Sequence, residues 1–369
     1  MADPRLTDLA RSLPRAVPFV PPEAQERDRR RAFRARLGAN ESAFGPSPHA
    51  VETMRAMAGD AWMYPDSAAF ELREALSAHH GIDPGHITVG NGIDGILGTL
   101  VRLLVTPGTP VVTSAGAYPT FNYHVTGFGG VIHTVPYRDD HEDPVALIDK
   151  AREVGAKLIY LSNPDNPMGS WHDPETVQRM IDAVPEGALL VLDEAYVECT
   201  AGFAAPDWAP DDPRVIRTRT FSKAYGLAGL RVGYAVGPRD LIADFDLVRD
   251  HFGVSRVAQA AARASLDDAA WLIEVQARIV QSRARLAAIA HDNGLVALPS
   301  ATNFVAIDSG GDGAFAARVN DALVRRDVFI RCPGTAPLDR ILRISCGPED
   351  EMRLVAEALP QALAEAHVI

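Results

Sequence analysis

The sequence predicts an α/β protein with a large domain, in which helices cover a mostly parallel seven-stranded sheet, and a smaller α+β domain. Its 369 residues exceed what one ordinary hydrophobic core occupies, which favours two domains or one large domain with a lobe. The middle of the chain alternates short β-rich runs with helical patterns, as in a sheet covered by crossover helices. After Arg239 the pattern changes to long helices rich in alanine and arginine, which indicates a different architecture.

The predicted boundaries lie where these patterns change. Residues 1–48 are expected to form an N-terminal arm and part of the small domain, residues 49–250 the large domain, and residues 251–369 the C-terminal small domain. The chain has neither an internal repeat nor a low-complexity linker.

Seven runs are typical of strands because they are short and almost continuously apolar. Such runs suit strands that are buried on both faces, as in a parallel sheet. The predicted strands are 86–90, 110–115, 131–137, 157–162, 188–196, 214–221 and 231–236.

The helical stretches between these runs have recognisable starts. DPVALIDKAREVG and DPETVQRMIDAVP both begin with Asp-Pro, a capping residue followed by a proline that suits the first helical turn. IDGILGTLVRLLV is a third helix of this region, and long helices are expected to continue to about Asn293. The small domain then adds the strands LVALP, NFVAID and ILRIS, with the helix AFAARVNDALVRR between the last two.

Charge and cysteine content narrow the class of protein. The net charge of −12 argues against nucleic acid as a partner, because phosphate binding requires a basic face. The longest apolar runs are too short to cross a bilayer, and the first residues have no apolar core of signal-peptide length. Three scattered cysteines form no disulfide pattern and no metal-ligand cluster. We therefore expect a cytoplasmic protein without a metal site or a membrane partner.

The segment TFSKAYGLAGLRVGY holds one of only three lysines among 36 basic residues, the other 33 being arginines. Arginine keeps its proton at any ordinary pH and cannot act as a nucleophile, whereas a desolvated lysine can. A chain that otherwise uses arginine for positive charge has an amine at Lys223, which indicates covalent chemistry.

The stretch HITVGNGIDGILG contains Gly90, Gly92 and Gly95 in the dinucleotide-binding order G-x-G-x-x-G. A nicotinamide-dependent oxidoreductase is therefore one alternative. However, the next predicted strand, PVVTSA, does not end in the acid that would bind the ribose. A helix start of this kind can still hold a phosphate through the N–H groups of Gly92, Ile93 and Asp94.

Polar side chains follow several neighbouring strands at the edge where parallel strands place ligands. Asn166 lies in the proline-bounded turn SNPDNPMG, and Asp193 ends an apolar strand, where a helix-capping role is the alternative. The next strand leads into the segment with the lysine and Arg231. Pyridoxal phosphate needs all of these groups together: a lysine for its aldehyde, a carboxylate for its pyridine nitrogen, and N–H groups and an arginine for its phosphate.

With these motifs in order, the chain resembles class I and II aminotransferases of the aspartate-aminotransferase fold, and among them the histidinol-phosphate aminotransferase group. TFSKAYGLAGLRVGY matches the lysine segment of that family, NPDNPMG resembles its N-P-x-N-P-T-G, and LDEAYVE its D-E-A-Y. GNGIDGI, AGAYPTF, MYPD and ILRISCG also correspond, so the resemblance extends from LGANESAFGPSP to the C-terminus.

The resemblance implies a role for each central residue. Lys223 would form a Schiff base with the cofactor and shuttle the substrate proton, and Asp193 would pair with the pyridinium nitrogen. Tyr118 would lie over the ring, while Asn166 and Tyr196 would face its phenolic oxygen. The implied phosphate cradle comprises the backbone of Gly92, Ile93 and Asp94 together with Thr220, Ser222 and Arg231.

Further residues are implied to bind substrate or to act across subunits. Arg343 and Arg331 match arginines that hold the anionic end of the substrate, and Asn166 also contacts it. Tyr64 would reach the phosphate of a neighbouring subunit, which implies a homodimer with shared active sites, although a core position is the simpler interpretation of a lone tyrosine. Asn303 is expected to hold a turn.

The match departs from the family at five positions. Phe19 and Phe44 stand where tyrosines are usual, Ile93 replaces a serine, Gly95 an acid and Met168 a threonine. A missing hydroxyl at Phe19 would remove one hydrogen bond from a substrate phosphate, about 1 kcal/mol. This weakens histidinol phosphate as a substrate without excluding it.

The expected function is a ping-pong transaminase that moves an amino group from an amino acid or histidinol phosphate to a 2-oxo acid such as 2-oxoglutarate. An aromatic or other amino-acid aminotransferase is an alternative, as is a decarboxylase or lyase of the same fold, because fold and cofactor residues do not separate these activities. A cofactor-sensing regulator would need an added DNA-binding domain, for which the acidic chain leaves no room.

Overall fold

The computed structural model describes residues 5–14, 21–200 and 205–368. In chain order its helices are α1 Asp8–Ser12, α2 Pro22–Arg29, α3 Pro48–Met57, α4 Phe70–His80, α5 Gly92–Leu104, α6 Pro119–Gly127, α7 Pro144–Val154, α8 Pro174–Ala183, α9 Arg239–Asp244, α10 Arg256–Asp267, α11 Ala269–Asp292, α12 Gly313–Arg325 and α13 Glu349–Val368. Its strands are β1 Ala35–Arg36, β2 Ile87–Gly90, β3 Pro110–Ser114, β4 Val131–Val135, β5 Leu158–Ser162, β6 Leu189–Asp193, β7 Val215–Thr220, β8 Gly233–Val236, β9 Val296–Ala297, β10 Phe304–Asp308, β11 Val328–Phe329 and β12 Ile341–Ser345.

The large sheet has seven strands in the order β2-β8-β7-β6-β5-β3-β4, which confirms the predicted architecture. Strand β8 is antiparallel to both of its neighbours, and the other adjacent pairs are parallel. In the register of β5, β6 and β7, Ser162 lies opposite Asp193, which lies opposite Thr218. The carboxyl ends of these three strands therefore meet at one edge of the sheet, as the sequence predicted.

Strand and helix positions follow from local sequence. All residues of β5 and β6 are buried, in agreement with their continuous apolar character. The two Asp-Pro helix starts are confirmed: the Asp143 carboxylate accepts the N–H groups of Val145 and Ala146, and the Asp173 carboxylate accepts that of Thr176. These caps set where the crossover helices begin and thus where the preceding loops return to the sheet.

Two predicted strands are shorter than expected. The run 188–196 leaves the sheet after Asp193, and Val197–Thr200 forms a short 3₁₀ turn instead. The run 231–236 enters the sheet only at Gly233, because Arg231 follows another 3₁₀ turn and adopts a left-handed backbone with φ of 53°. Both deviations place functional residues on loops at the sheet edge and not within a strand.

The loop GNGIDG follows β2, which lies at the margin of the sheet and pairs only with antiparallel β8. A dinucleotide-binding unit needs a parallel strand beside the one that precedes its glycine loop. The structure therefore argues against the nicotinamide-dependent alternative.

The small domain contains the antiparallel sheet β12-β10-β9 and the helices α11, α12 and α13, whose apolar faces share one buried cluster. Near the N-terminus, β1 pairs in parallel with β11, so this segment contacts the small domain. Helix α10 instead packs in the cluster that includes α3 and α4. The predicted boundary at residue 250 stays a prediction, and this packing favours a boundary near Asp268. None of the helices described is both long enough and apolar enough to cross a membrane.

Candidate active site

A cavity of about 720 Å³ lies between the carboxyl edge of the large sheet and the small domain. Most of the predicted site residues line it: Ile93, Asp94, Tyr118, Asn166, Asp193, Tyr196, Thr220, Ser222, Lys223, Arg231, Arg331 and Arg343. Residues separated by up to 250 positions in the chain thus share one surface, because the sheet edge and the small domain face each other.

Asp193 ends β6 at the floor of this cavity, and its side chain is buried. The Tyr160 hydroxyl donates to Asp193 Oδ2 at 2.7 Å, and the Ala195 N–H donates to Oδ1 at 3.0 Å. Burial raises the pKa of Asp193 to about 6, while these two hydrogen bonds oppose the rise. The carboxylate is thus held in a fixed orientation, and it is ionised at neutral pH.

Lys223 follows β7, and its Nζ donates to the backbone oxygen of Asn40 at 3.1 Å. Burial, with the charges of Arg343 and Arg231, lowers the pKa of Lys223 to about 8. About a tenth of the amine is therefore neutral at pH 7, far more than for a lysine of ordinary pKa, and the neutral form is the one that a nucleophile or a base requires.

Tyr196 is buried beside the lysine, with Lys223 Nζ 5.5 Å from its ring centroid. Burial raises the pKa of Tyr196 and keeps the phenol protonated. Asn40 Nδ2 donates to the Tyr196 hydroxyl at 3.0 Å, and the predicted turn-holding residue Asn303 donates to the Asn40 backbone oxygen at 3.1 Å. One buried asparagine therefore contacts both Lys223 and Tyr196.

The predicted phosphate cradle comprises the start of α5 and the loop after β7. Gly92 has a left-handed backbone with φ of 78°, which favours glycine, and a Cβ there would lie 2.3 Å from Arg231 Nη2 and would displace the guanidinium. Arg231 Nη1 donates to Ser222 Oγ at 3.3 Å, and Ser222 Oγ accepts from Thr220 Oγ1 at 2.9 Å. Hydroxyls, a guanidinium and a helix start converge here, which is the chemistry that a phosphate requires.

Asp94 joins this cradle to the ring-stacking position. The Tyr118 hydroxyl donates to Asp94 Oδ1 at 2.8 Å, and Arg231 Nη2 lies 3.8 Å from Asp94 Oδ2. The sequence analysis assigned only the backbone of Asp94 to the site, whereas in the structure its carboxylate holds two predicted site residues.

Arg343 and Arg331 are cross-strand partners, joined by backbone hydrogen bonds in both directions. Arg343 Nη1 donates to Asn166 Oδ1 at 2.6 Å, and Nη2 donates to the Gly38 backbone oxygen at 3.1 Å, both of them neutral acceptors. Burial followed by the charge of Arg343 lowers the pKa of Arg331 to about 10, and burial also lowers that of Arg343. Two adjacent cations in one cavity favour an anionic ligand.

Two predicted site residues lie outside the cavity lining, and a third position cannot be placed. Gly92 is beneath the Arg231 guanidinium, and Tyr64 is 78% exposed, with its ring 4.9 Å from that of Phe252. The core position considered for Tyr64 is therefore wrong. Phe19 lies outside the described residues.

The remaining family departures have local explanations. A Cβ at Gly95 would come within 1.6 Å of Asn91 Oδ1, so the asparagine side chain occupies the space of a larger residue. Met168 is fully buried, and its N–H donates to Asp165 Oδ2 at 2.9 Å. Phe44 packs against the buried cluster of the small domain.

Sequence reasoning missed two residues that orient the site. Tyr160 stands in the predicted strand 157–162 and received no role from the sequence, although an interior tyrosine needs a partner for its hydroxyl. Asn40, in LGANES, is a polar residue among small ones, and this pattern is only a weak indication of a site residue.

Comparisons with known proteins agree with this geometry. Histidinol-phosphate aminotransferase of Anaeromyxobacter sp. (strain Fw109-5) is 34% identical over 355 residues, 95% of this chain and 97% of that protein. Histidinol-phosphate aminotransferase 2 of Ralstonia nicotianae is 37% identical over 345 residues, which cover 90% of this chain and 89% of that protein.

Among solved structures, histidinol-phosphate aminotransferase from Sinorhizobium meliloti in complex with pyridoxal-5'-phosphate is 51% identical, with a TM-score of 0.95 and 98% of each chain covered. A double mutant of aspartate aminotransferase from Thermus thermophilus has a TM-score of 0.80 at 21% identity, and the match covers 97% of this chain and 99% of that one. At this identity the likeness shows the fold alone. The model of the family described as aminotransferase class I and II matches residues 35–359. On the fold, the site and these matches, the chain belongs to the aminotransferase class I and II family.

Proposed function

We propose that this chain is a pyridoxal-5'-phosphate-dependent aminotransferase with histidinol phosphate as amino donor and a 2-oxo acid such as 2-oxoglutarate as acceptor. The observation that carries the proposal is one cavity that joins a buried carboxylate, a lysine of lowered pKa and two adjacent arginines. The family match and the 51% identity to the Sinorhizobium meliloti enzyme support it.

The residues present fit this cofactor. Arg231 closely approaches Gly92 at the start of α5, and the guanidinium and the helix start together form a cradle suited to a phosphate. Ser222 and Thr220 add hydroxyls, and Asp193 would hold a proton on the pyridine nitrogen, since its pKa of about 6 leaves it ionised at neutral pH.

When bound, the cofactor supplies an electron sink that draws charge from the α-carbon of the amino donor. Lys223 Nζ is positioned to take the proton that leaves this carbon and to return it, and its pKa of about 8 suits a base near neutral pH. Asn40 orients the amine through its backbone oxygen, and the protonated Tyr196 offers a hydrogen bond beside it.

The arginine pair supports an anionic substrate in both halves of the reaction. Histidinol phosphate offers a phosphate, and 2-oxoglutarate offers two carboxylates; a guanidinium can bind either group in a bidentate manner. Arg343 contacts Asn166, so an anion bound to Arg343 would also lie next to Asn166.

We further propose a homodimer in which Tyr64 completes the site of the neighbouring subunit. Trp62 and Tyr64 are 81% and 78% exposed, and Phe252 packs beside Tyr64, so a cluster of large aromatic side chains faces outward. Tyr64 takes no part in the cavity of its own chain. For the location we propose the cytoplasm, supported by three cysteines that are all free thiols.

The test is the visible spectrum of the protein saturated with pyridoxal phosphate, recorded as single amino donors are added. Histidinol phosphate is compared with histidinol, which lacks only the phosphate, and with glutamate, histidine, phenylalanine and tyrosine. We expect histidinol phosphate and glutamate to convert the band of the bound cofactor, and histidinol to act far more weakly. If only phenylalanine or tyrosine converts the band, the amino donor is an aromatic amino acid and not histidinol phosphate. A band that no donor changes would favour decarboxylase or lyase chemistry, and failure to bind the cofactor would overturn the proposal.

A further inference from the structure

Two buried carboxyl groups lie outside the roles assigned above. Glu142 and Asp165 are 1% and 2% exposed. Glu142 directly precedes the capping residue of α7, and Asp165 lies in the turn that follows β5 and directly precedes Asn166. Because isolated buried carboxylates are costly, this pair requires an explanation.

Hydrogen bonds fix three of the four carboxyl oxygens. Glu142 Oε1 accepts the N–H of Ser162 at 2.9 Å. Asp165 Oδ1 accepts the Tyr137 hydroxyl at 2.8 Å, and Oδ2 accepts the N–H of Met168 at 2.9 Å. Glu142 Oε2 has no donor of ordinary hydrogen-bond geometry within the described ranges, although the Ser114 hydroxyl lies close enough to the Glu142 carboxyl to oppose the rise of its pKa. The two carboxyl groups nevertheless lie within hydrogen-bonding distance of each other.

Two carboxylates cannot hydrogen-bond unless one of them carries a proton. Burial, followed by the charge of Asp165, raises the pKa of Glu142. Burial also raises the pKa of Asp165, to about 6, but Asp165 accepts two donors that favour its anion, so Glu142 is the carboxyl that holds the proton. The titratable and charged groups that face the pair from the surrounding elements are Tyr137, Tyr160, His141, His172 and Arg343.

The pair also fixes the turn that carries a site residue. The Asp165 N–H donates to the Ser170 oxygen at 2.8 Å, and the Gly169 N–H donates to the Asp165 oxygen at 3.1 Å. The next residue, Asn166, lines the cavity and accepts from Arg343. Any movement of Asp165 therefore moves Asn166 relative to Arg343.

We propose that Glu142 and Asp165 share one proton and act as a positioning pair, in which the Glu142 O–H donates to Asp165 and thereby holds Asn166 at the cavity wall beside Arg343. The effect on turnover rests on the proposed function, whereas the shared proton does not. The two parts are therefore tested separately.

The first test is the stability of Glu142→Gln and wild-type protein in urea, both with saturating cofactor, between about pH 5 and pH 9. The folded wild type binds a proton that the unfolded chain releases above the ordinary glutamate pKa of 4.5. Its stability therefore falls as pH rises from there towards the raised pKa of Glu142. In Glu142→Gln the amide N–H donates at every pH, so the stability of this variant lacks the contribution from Glu142 titration. As pH rises, the ratio of the wild-type unfolding constant to that of the variant should therefore increase by up to about tenfold per pH unit. A ratio that does not change with pH, or a Glu142→Gln protein that fails to fold, would overturn the shared proton.

The second test compares the kinetics of Glu142→Gln with those of Asp165→Asn. An asparagine at 165 has one carbonyl oxygen, so it cannot accept the Tyr137 hydroxyl, the Met168 N–H and the Glu142 O–H in the wild-type arrangement, and the turn is held less firmly. We expect Glu142→Gln to keep kcat/KM within about threefold of wild type and Asp165→Asn to lose about tenfold or more, mainly through KM for the donor. Equal losses in both variants would overturn the positioning role. If the wild-type protein has no transaminase activity, the proposed function is contradicted. The urea experiment would still test whether Glu142 and Asp165 share a proton, because it does not depend on turnover.

Discussion

At the residue scale, burial drives the two central ionisable groups in opposite directions. It raises the pKa of Asp193 to about 6 and lowers that of Lys223 to about 8. Each shift favours the neutral form, but between these values the acid is still ionised and the amine increasingly loses its proton. A reaction that needs the carboxylate and the neutral amine together is expected to become faster as pH rises through both values and to level off above about pH 8.

Lys223→Arg tests the chemistry of the amine while the charge is retained. We expect turnover to fall by several orders of magnitude, because a guanidinium neither attacks an aldehyde nor accepts a proton near neutral pH. The measurement is kcat in a coupled transaminase assay, with the exposed Lys157→Arg as the control that keeps wild-type activity. Turnover within tenfold of wild type in Lys223→Arg would contradict the assignment.

Tyr160→Phe tests how Asp193 is tuned. The Tyr160 hydroxyl donates to the Asp193 carboxylate and lowers its pKa, so its removal raises the pKa. Because the ionised form is the active one, the acid limb of kcat/KM should move to higher pH, by about one unit. Tyr234→Phe, which loses a partly buried hydrogen bond to His80 away from the cavity, is the matched control. An unchanged acid limb in Tyr160→Phe would mean that this hydroxyl does not lower the pKa of Asp193.

At the element scale, ion pairs to one buried carboxylate link the end of helix α2 to the small domain. Asp327, between α12 and β11, is buried and forms ion pairs with Arg29 and Arg31. Its φ of 64° is a left-handed conformation that costs a non-glycine residue about 1 kcal/mol, so the ion pairs hold a strained position. Residues at the start of α2, including Pro22, line the cavity.

Asp327→Gly removes the strain and the carboxylate together, and Asp327→Asn removes only the charge. We expect both to raise KM for the donor several-fold and to make α2 cleavable by trypsin, since the helix loses its ion pairs with the small domain. Asp327→Gly should be the more stable of the two variants, by about 1 kcal/mol, because it also relieves the backbone. Urea unfolding and limited proteolysis measure these effects. A KM unchanged in both variants would mean that the helix stays in place without these ion pairs.

At the scale of the whole molecule, the proposed dimer predicts complementation between two damaged chains. Lys223→Ala and Tyr64→Ala each impair every site of their own homodimer. In a mixed dimer, the site that keeps Lys223 receives the intact Tyr64 of the other chain. After unfolding and refolding an equal mixture, half of the dimers are hybrids with one complete site, so activity should recover to about a quarter of wild type.

The control for this experiment is each variant refolded alone. If Tyr64 acts only within its own chain, or if the protein is monomeric, the mixture shows no more activity than the average of the two variants. Sedimentation of the wild-type protein distinguishes these two outcomes.

The sequence alone determined the features that depend on local pattern. Continuous apolar runs identified β5 and β6 as interior strands, and Asp-Pro pairs fixed the starts of α7 and α8. The order of the motifs also predicted that Lys223 and Asp193 lie at one sheet edge. These features follow from side-chain types within a few residues of each other, which the sequence displays directly.

Only the tertiary structure decided the contacts that join distant segments. Tyr160 meets Asp193 through the register of two strands, 33 residues apart, and Asn40 meets Tyr196 and Lys223 across 156 and 183 residues. The ion pairs of Asp327, and the proton that we propose Glu142 and Asp165 share, depend on burial and distance in the same way. A residue type states which bonds a side chain can form, but packing of the whole chain selects the partner and the degree of burial that set its pKa.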